Sequence, residues 1–192
     1  MSSVTVLGAF AYLTYIPWRQ DPSRITLVLL LVAAALTVGM SAFAKLPKQR
    51  DWHPVAVCVS LGGSFYCLAY QLDASTHLIP EWAGGALQIF GIAFQLLAKL
   101  SLGRSFGLLP ANRGVVASGA YRFVRHPIYA AYLVSELGFL LANFSSRNLL
   151  MVSSWMLLQV GRIILEERVL SEDADYRAYK AQVRYRLVPG VF

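Results

Sequence analysis

Charge is what this chain has least of. Only 14% of its 192 residues are Asp, Glu, Lys or Arg, against about 25% in an ordinary soluble domain. Cysteine is scarcer still. The two thiols, Cys58 and Cys67, fall in one apolar stretch, and at about 1.5 Å of rise per helical residue they lie too far apart to bond. A disulfide framework is excluded. The three histidines, His53, His77 and His126, have no metal-site spacing and no Cys-x-x-Cys accompanies them, so no metal is expected. No Gly-x-Gly-x-x-Gly follows a candidate strand, which speaks against a soluble dinucleotide-binding fold. Acids are fewer than bases, 10 against 17, and the net charge of +7 invites a nucleic-acid reading. The bases sit in short connections and make no continuous basic face, so no nucleic-acid partner is expected.

What is present is apolar. Hydrophobic residues make up 57% of the chain, and they gather into six segments: Ser2 to Trp18, Ile25 to Ala44, Pro54 to Leu72, Trp82 to Leu102, Pro127 to Phe144, and Asn148 to Leu165. A helix needs roughly 20 apolar residues to cross a bilayer. The composition therefore predicts an all-α, polytopic integral membrane protein with five or six transmembrane helices and a short C-terminal helical cap. The first segment is short and bounded by Pro17, so five spans is the alternative to six. No Lys or Arg precedes that segment, and Tyr12, Tyr15, Ile16, Pro17 and Trp18 make a poor cleavage site, so it reads as a retained span and not a signal peptide. Lys99, near the end of the fourth segment, is expected to snorkel to the interface. Residues 1–192 read as a single domain, with no internal repeat or flexible linker.

Orientation follows from the bases. With the N-terminus inside, 14 of the 17 fall on the cytoplasmic side, and only Arg19, Arg24 and Arg147 lie outside. The polar stretch from Gly103 to His126 and the tail from Arg162 to Phe192 both become cytoplasmic. Any polar site is expected there.

Two groups of residues can carry chemistry. Arg125, His126 and Pro127 stand where a loop enters a membrane helix; Pro127 suits the first helical turn, and the residues before it lie at the positive end of the helix dipole, a place for an anionic group. A basic juxtamembrane anchor explains the same residues equally well. In the second group Arg162 and Glu166 are four apart and can pair on one helix face. Glu167 points about 100° away and needs another partner, which favours Glu166 for structure and Glu167 for a ligand. A solvated helix start explains the two acids as well. Glu136, alone inside the fifth segment, can pair with another helix or line a cavity. Gly62-Gly63 and Gly84-Gly85 are expected to allow close helix packing.

Taken in order, Leu102-Gly103-Arg104, the run Gly114 to Tyr121, Arg125-His126-Pro127-Ile128-Tyr129, Arg162 with Glu166-Glu167, Tyr176-Arg177-Ala178-Tyr179 and Arg186-Leu187-Val188-Pro189 resemble the isoprenylcysteine carboxyl methyltransferase family, related to the phospholipid N-methyltransferases. The resemblance covers residues 102–192; upstream, residues 1–101 show only apolar segments. It implies a membrane enzyme that binds S-adenosylmethionine between a cytoplasmic cap and the ends of its last helices. It further implies that Val116, Gly119, Tyr121, His126, Pro127, Tyr129, Glu166 and Glu167 line the cofactor, with Arg125 and Glu167 catalytic. The chain departs from the family's pattern at Ala131, where Gly is frequent, and in a tail that lacks Phe-Gly before its Tyr-x-x-Tyr.

The methyl acceptor that follows is a lipophilic small molecule or lipid reaching the site from membrane lipid at the cytoplasmic interface, and a prenylcysteine-like carboxylate, a phospholipid amine and a small isoprenoid acid all fit. The expected location is the cell inner membrane or the endoplasmic reticulum. Methyl transfer asks little of acid-base groups, because the sulfonium carries its own electrophile and the protein aligns the reactants and excludes water. Membrane sterol reductases using NADPH resemble the same closing pattern and are the rival enzyme class. A non-enzymatic membrane scaffold is the third reading, and it leaves the motifs unexplained.

Overall fold

The computed structural model describes residues 3–42, 49–50, 54, 62, 66–73, 76–102, 111–112 and 115–190. His53, Cys58, the Gly103-Arg104 motif, Gly114 and most of the Pro54 to Leu72 segment lie outside the described residues. Within them the chain is helical: α1 (Ser3–Gln20), α2 (Ile25–Ala42), α3 (Glu81–Leu102), α4 (Pro127–Ala142), α5 (Ser146–Leu170) and α6 (Ala174–Gln182), with 3-10 turns at Tyr66–Ala69 and Gly119–Arg122. One antiparallel pairing, Gln49–Arg50 with Ala111–Asn112, is the only strand pair among the described residues.

Local chemistry sets the ends. Pro127 opens α4 at its first turn, where a missing N–H breaks no helical bond. The Ser145 hydroxyl caps α5 by accepting from the Asn148 N–H at 3.1 Å, and Asp173 caps α6 through the Asp175 N–H at 2.9 Å. The expected boundary at Pro17 is corrected: α1 runs on to Gln20 with Pro17 inside it. Pro17 falls in the last turn, its carbonyl still accepts from the Asp21 N–H at 3.2 Å, and the one bond it cannot donate is too near the end to break the helix.

Among the described residues two helices, α3 with 22 residues and α5 with 25, are long and apolar enough to cross a membrane. At ~1.5 Å per residue they extend about 33 Å and 37 Å, against a hydrocarbon thickness of about 30 Å. The apolar stretches Ile25–Gly39 and Pro127–Ala142 are shorter.

α3 and α4 touch backbone to backbone. A β-carbon on Gly138 would stand 2.7 Å from the Gly84 carbonyl oxygen, and one on Gly91 would stand 2.8 Å from that of Ala131. Ala131 is itself fully buried, so the small residue keeps the close contact there. Gly85 meets Ile25 of α2, as expected of the Gly84-Gly85 pair; Gly62 faces Leu158 of α5, while Gly63 lies outside the described residues. At the end of the bundle away from Pro127, Arg24 donates to Asn143 Oδ1 at 2.6 Å, Asn143 Nδ2 donates to Thr26 Oγ1 at 2.9 Å, and the Thr26 N–H donates to Glu81 Oε1 at 2.8 Å. These bonds tie the starts of α2 and α3 to the end of α4. Phe10, Leu27, Leu30, Tyr70, Phe139, Leu140 and Val152 fill the core beside them. Glu136 accepts from the hydroxyls of Tyr66 and Tyr70, a pairing with a neighbouring segment.

Candidate active site

Lys99 corrects a second expectation. It does not snorkel: it is fully buried, and its ammonium donates to Thr37 Oγ1 of α2 at 3.1 Å. The groove at that level lies between three helices, and a lysine on the inward face of α3 has no route to water.

At the Pro127 end of the bundle, α4 begins beside the last turns of α5, and the tail folds back over both. The backbone N–H groups of Arg125 and His126 donate to the carbonyls of Tyr185 and Arg186, at 2.9 Å and 2.8 Å. Arg125 then reaches three partners. Its Nε donates to Glu167 Oε1 at 2.7 Å, and its Nη1 donates to the carbonyls of Val183 and Arg184, each at 2.7 Å. His126 Nε2 lies 3.2 Å from the same Glu167 oxygen. The other oxygen of Glu167 accepts from Arg186 Nε at 3.1 Å, with Lys180 Nζ at 3.7 Å. Arg125 and Glu167 side chains are 4% and 5% exposed. A buried carboxylate stays charged in such a place because several cations surround it.

Glu166 has different surroundings. It is half-buried and accepts from the Tyr129 hydroxyl at 3.0 Å. Tyr129 lies under the Arg162 guanidinium, 5.5 Å from ring centroid to Cζ, and 5.6 Å from the His126 ring. Arg162 itself donates to Gln159 at 3.2 Å. The motif thus brings Arg125, His126, Pro127 and Tyr129 together with both acids, and joins the two groups of residues across α4 and α5.

The remaining site candidates sit in the cap. Tyr121, Tyr176 and Tyr179 form a buried aromatic cluster against which Val116, Val183 and Leu170 pack. Tyr179 donates to the Tyr121 carbonyl at 2.7 Å. Gly119 has φ of +61° and a β-carbon there would collide with Ser101, so this turn requires glycine on both counts. Burial pushes the Tyr179 phenol up to about 12 with the Arg125 guanidinium opposing it. Burial likewise raises Tyr121 and Tyr176, and the charge of Glu166 adds to both. All three are neutral hydroxyl donors at physiological pH, close enough to the acids to feel them.

The site's donors and acceptors suit an S-adenosylmethionine-like ligand. Among the described residues the Glu166 carboxylate is only half-buried and takes one hydrogen bond, from Tyr129, and the buried Tyr176 hydroxyl has no partner. Tyrosine faces offer an apolar bed for a ring. Sequence reasoning missed Lys180, Arg186 and Tyr176 as members of this neighbourhood. The signal available was only their place in the tail motif, because nothing local shows that the tail returns to α4.

The family model of the isoprenylcysteine carboxyl methyltransferase (ICMT) family matches residues 85–172, a segment that runs from α3 to the end of α5 and includes Arg125, His126, Tyr129, Glu166 and Glu167. The chain matches no curated protein.

Proposed function

We propose that this chain, whose residues 85–172 match the model of a family of membrane-bound methyltransferases that use S-adenosylmethionine, methylates a lipophilic acceptor at the cytoplasmic interface of its membrane. The acceptor class that fits the family is a prenylcysteine-like carboxylate, and the membrane is the cell inner membrane or the endoplasmic reticulum. The observation that carries the reading is the convergence of Arg125, His126 and Tyr129 at the start of α4 on the Glu166-Glu167 pair at the end of α5.

When bound, S-adenosylmethionine supplies a methyl group already activated on a sulfonium. The protein's work is positioning. Glu166 offers its carboxylate to the cofactor's cationic and hydroxyl groups, oriented by Tyr129, since charge-assisted hydrogen bonds are roughly twice as strong as neutral ones. Val116, Gly119, Tyr121 and Pro127 form the wall nearest the cap, and His126 joins it to α4. Arg125 and Glu167 act as a positioning pair: they hold the tail, through the carbonyls of Val183 and Arg184, over the site and keep water from it.

The direct test is calorimetric binding of S-adenosylhomocysteine and of NADPH to the detergent-solubilised protein. Binding of S-adenosylhomocysteine with no NADPH binding is the expected result. NADPH binding alone would replace the methyltransferase by a reductase.

A further inference from the structure

Tyr176 carries the only buried side-chain hydroxyl among the described residues that bonds to nothing. The residue is 4% exposed. Tyr179, three positions on and on the same face of α6, donates instead to the Tyr121 carbonyl at 2.7 Å, and the Tyr176 and Tyr179 rings stand 5.8 Å apart. Leu102, Val115, Val116, Leu170 and Val183 pack around this cluster. The wall is apolar apart from its tyrosine hydroxyls. Burial keeps the Tyr176 phenol protonated, and the charges of Glu167 and Glu166 hold that proton more firmly. The hydroxyl is therefore a neutral donor and acceptor within electrostatic reach of both acids of the site.

An unpaired hydroxyl is costly to bury in apolar surroundings. Native structures leave few of them, and each asks for a partner that the protein itself does not supply. Resting on the methyltransferase reading above, we propose that Tyr176 reads the base of the cofactor, its hydroxyl pairing with the 6-amino edge of adenine. The three parts of that cofactor differ in what they ask of a wall. The amino-acid end brings an ammonium and a carboxylate, and the ribose brings two hydroxyls; either would strand polar groups against Val116, Leu170 and Val183. The base is flat, apolar on both faces and polar only along its edge. Adenine sets an amino donor beside a ring-nitrogen acceptor, and one phenol hydroxyl both accepts and donates. A hydroxyl that meets the ligand and no protein atom also accounts for tyrosine at a position where phenylalanine would pack as well without the penalty.

The test is calorimetric binding of two probes to the full-length protein in detergent: S-adenosylhomocysteine and its 6-deamino analogue, in which unsubstituted purine replaces adenine. Wild type is expected to bind S-adenosylhomocysteine about fivefold or more tightly than the analogue, the scale of one neutral hydrogen bond. Tyr176→Phe should lower the affinity for S-adenosylhomocysteine to that for the analogue and leave the analogue's own affinity unchanged. Without ligand, Tyr176→Phe should unfold at the wild-type temperature or above it, because only an unpaired hydroxyl is lost, whereas Tyr179→Phe should unfold lower for want of its bond to Tyr121. Equal binding of the two probes by wild type overturns the proposal, whether or not the variant folds. So does a preference that survives Tyr176→Phe, or an unliganded Tyr176→Phe that melts as low as Tyr179→Phe, which would give the hydroxyl a protein partner. Each of these results leaves S-adenosylhomocysteine bound and the methyltransferase reading standing; a wild type that binds neither probe overturns that reading and the assignment of Tyr176 together.

Discussion

Glu167 holds Arg125, His126 and Arg186 on one buried carboxylate, whereas Glu166, its neighbour in sequence, is half-buried and meets Tyr129. The difference predicts opposite phenotypes. Glu167→Gln keeps the shape but leaves the buried Arg125 guanidinium without its counter-charge, a loss on the scale of about 3–5 kcal/mol for a broken buried pair. The tail should loosen, so thermal stability falls and trypsin cuts faster at the exposed Arg184. Glu166→Gln should leave the cleavage rate unchanged and weaken S-adenosylhomocysteine binding by about tenfold, one charged hydrogen bond, with Tyr129→Phe weakening it less. Equal trypsin sensitivity in the two variants would refute the division. Spacing along one helix shows that the two acids point apart, but it does not show which cations the tail brings back, and this is why helix geometry alone favours the reverse assignment. Lys99 teaches the same point: its place near a helix end suggests exposure, and only the packing of α2 and α4 on that face buries it.

At the scale of the helix, boundaries written in side-chain chemistry are legible and contacts between helices are less so. Pro127 marks the start of α4 for a local reason, whereas the glycine requirement at Gly119 depends partly on distant Ser101. The Gly84 to Gly138 approach needs two helices at once, and the sequence exposes only one half of it as the Gly84-Gly85 pair. That contact predicts a contrast. Gly138→Ala places a methyl 2.7 Å from a backbone carbonyl that cannot move aside, and overpacking of this kind costs about 1–3 kcal/mol. Gly39→Ala, with nothing within 4 Å, gains the helix preference of about 0.5–1 kcal/mol. Thermal unfolding in one detergent should therefore move down for Gly138→Ala and up or not at all for Gly39→Ala; the same shift in both would mean that α3 and α4 are not in backbone contact.

For the whole molecule the distribution of charge carries the argument. The methyltransferase proposal asks for a water-soluble cofactor from one side and a lipophilic acceptor from the bilayer, which puts the proposed site at an interface, and the helices bring its residues to the end that bears Leu102, Pro127 and Leu170. The positive-inside rule assigns that end to the cytoplasm, because the connections and tail at that end account for most of the 14 bases against three elsewhere. The test is impermeant thiol labelling of intact cells, with Cys58 and Cys67 replaced by Ser. Asp73→Cys, exposed at the opposite end, should be labelled from outside, while Arg184→Cys in the tail should be labelled only after the membrane is opened. A cysteine at Ser3 separates the span counts: protection of Ser3 together with Arg184 places both ends inside and requires an even number of crossings, and labelling of Ser3 from outside with Arg184 still protected requires an odd number, with α1 lying along the surface. Labelling of Arg184→Cys in intact cells would invert the molecule, setting Glu166 and Glu167 on the side away from the cytoplasmic cofactor and refuting the cytoplasmic site.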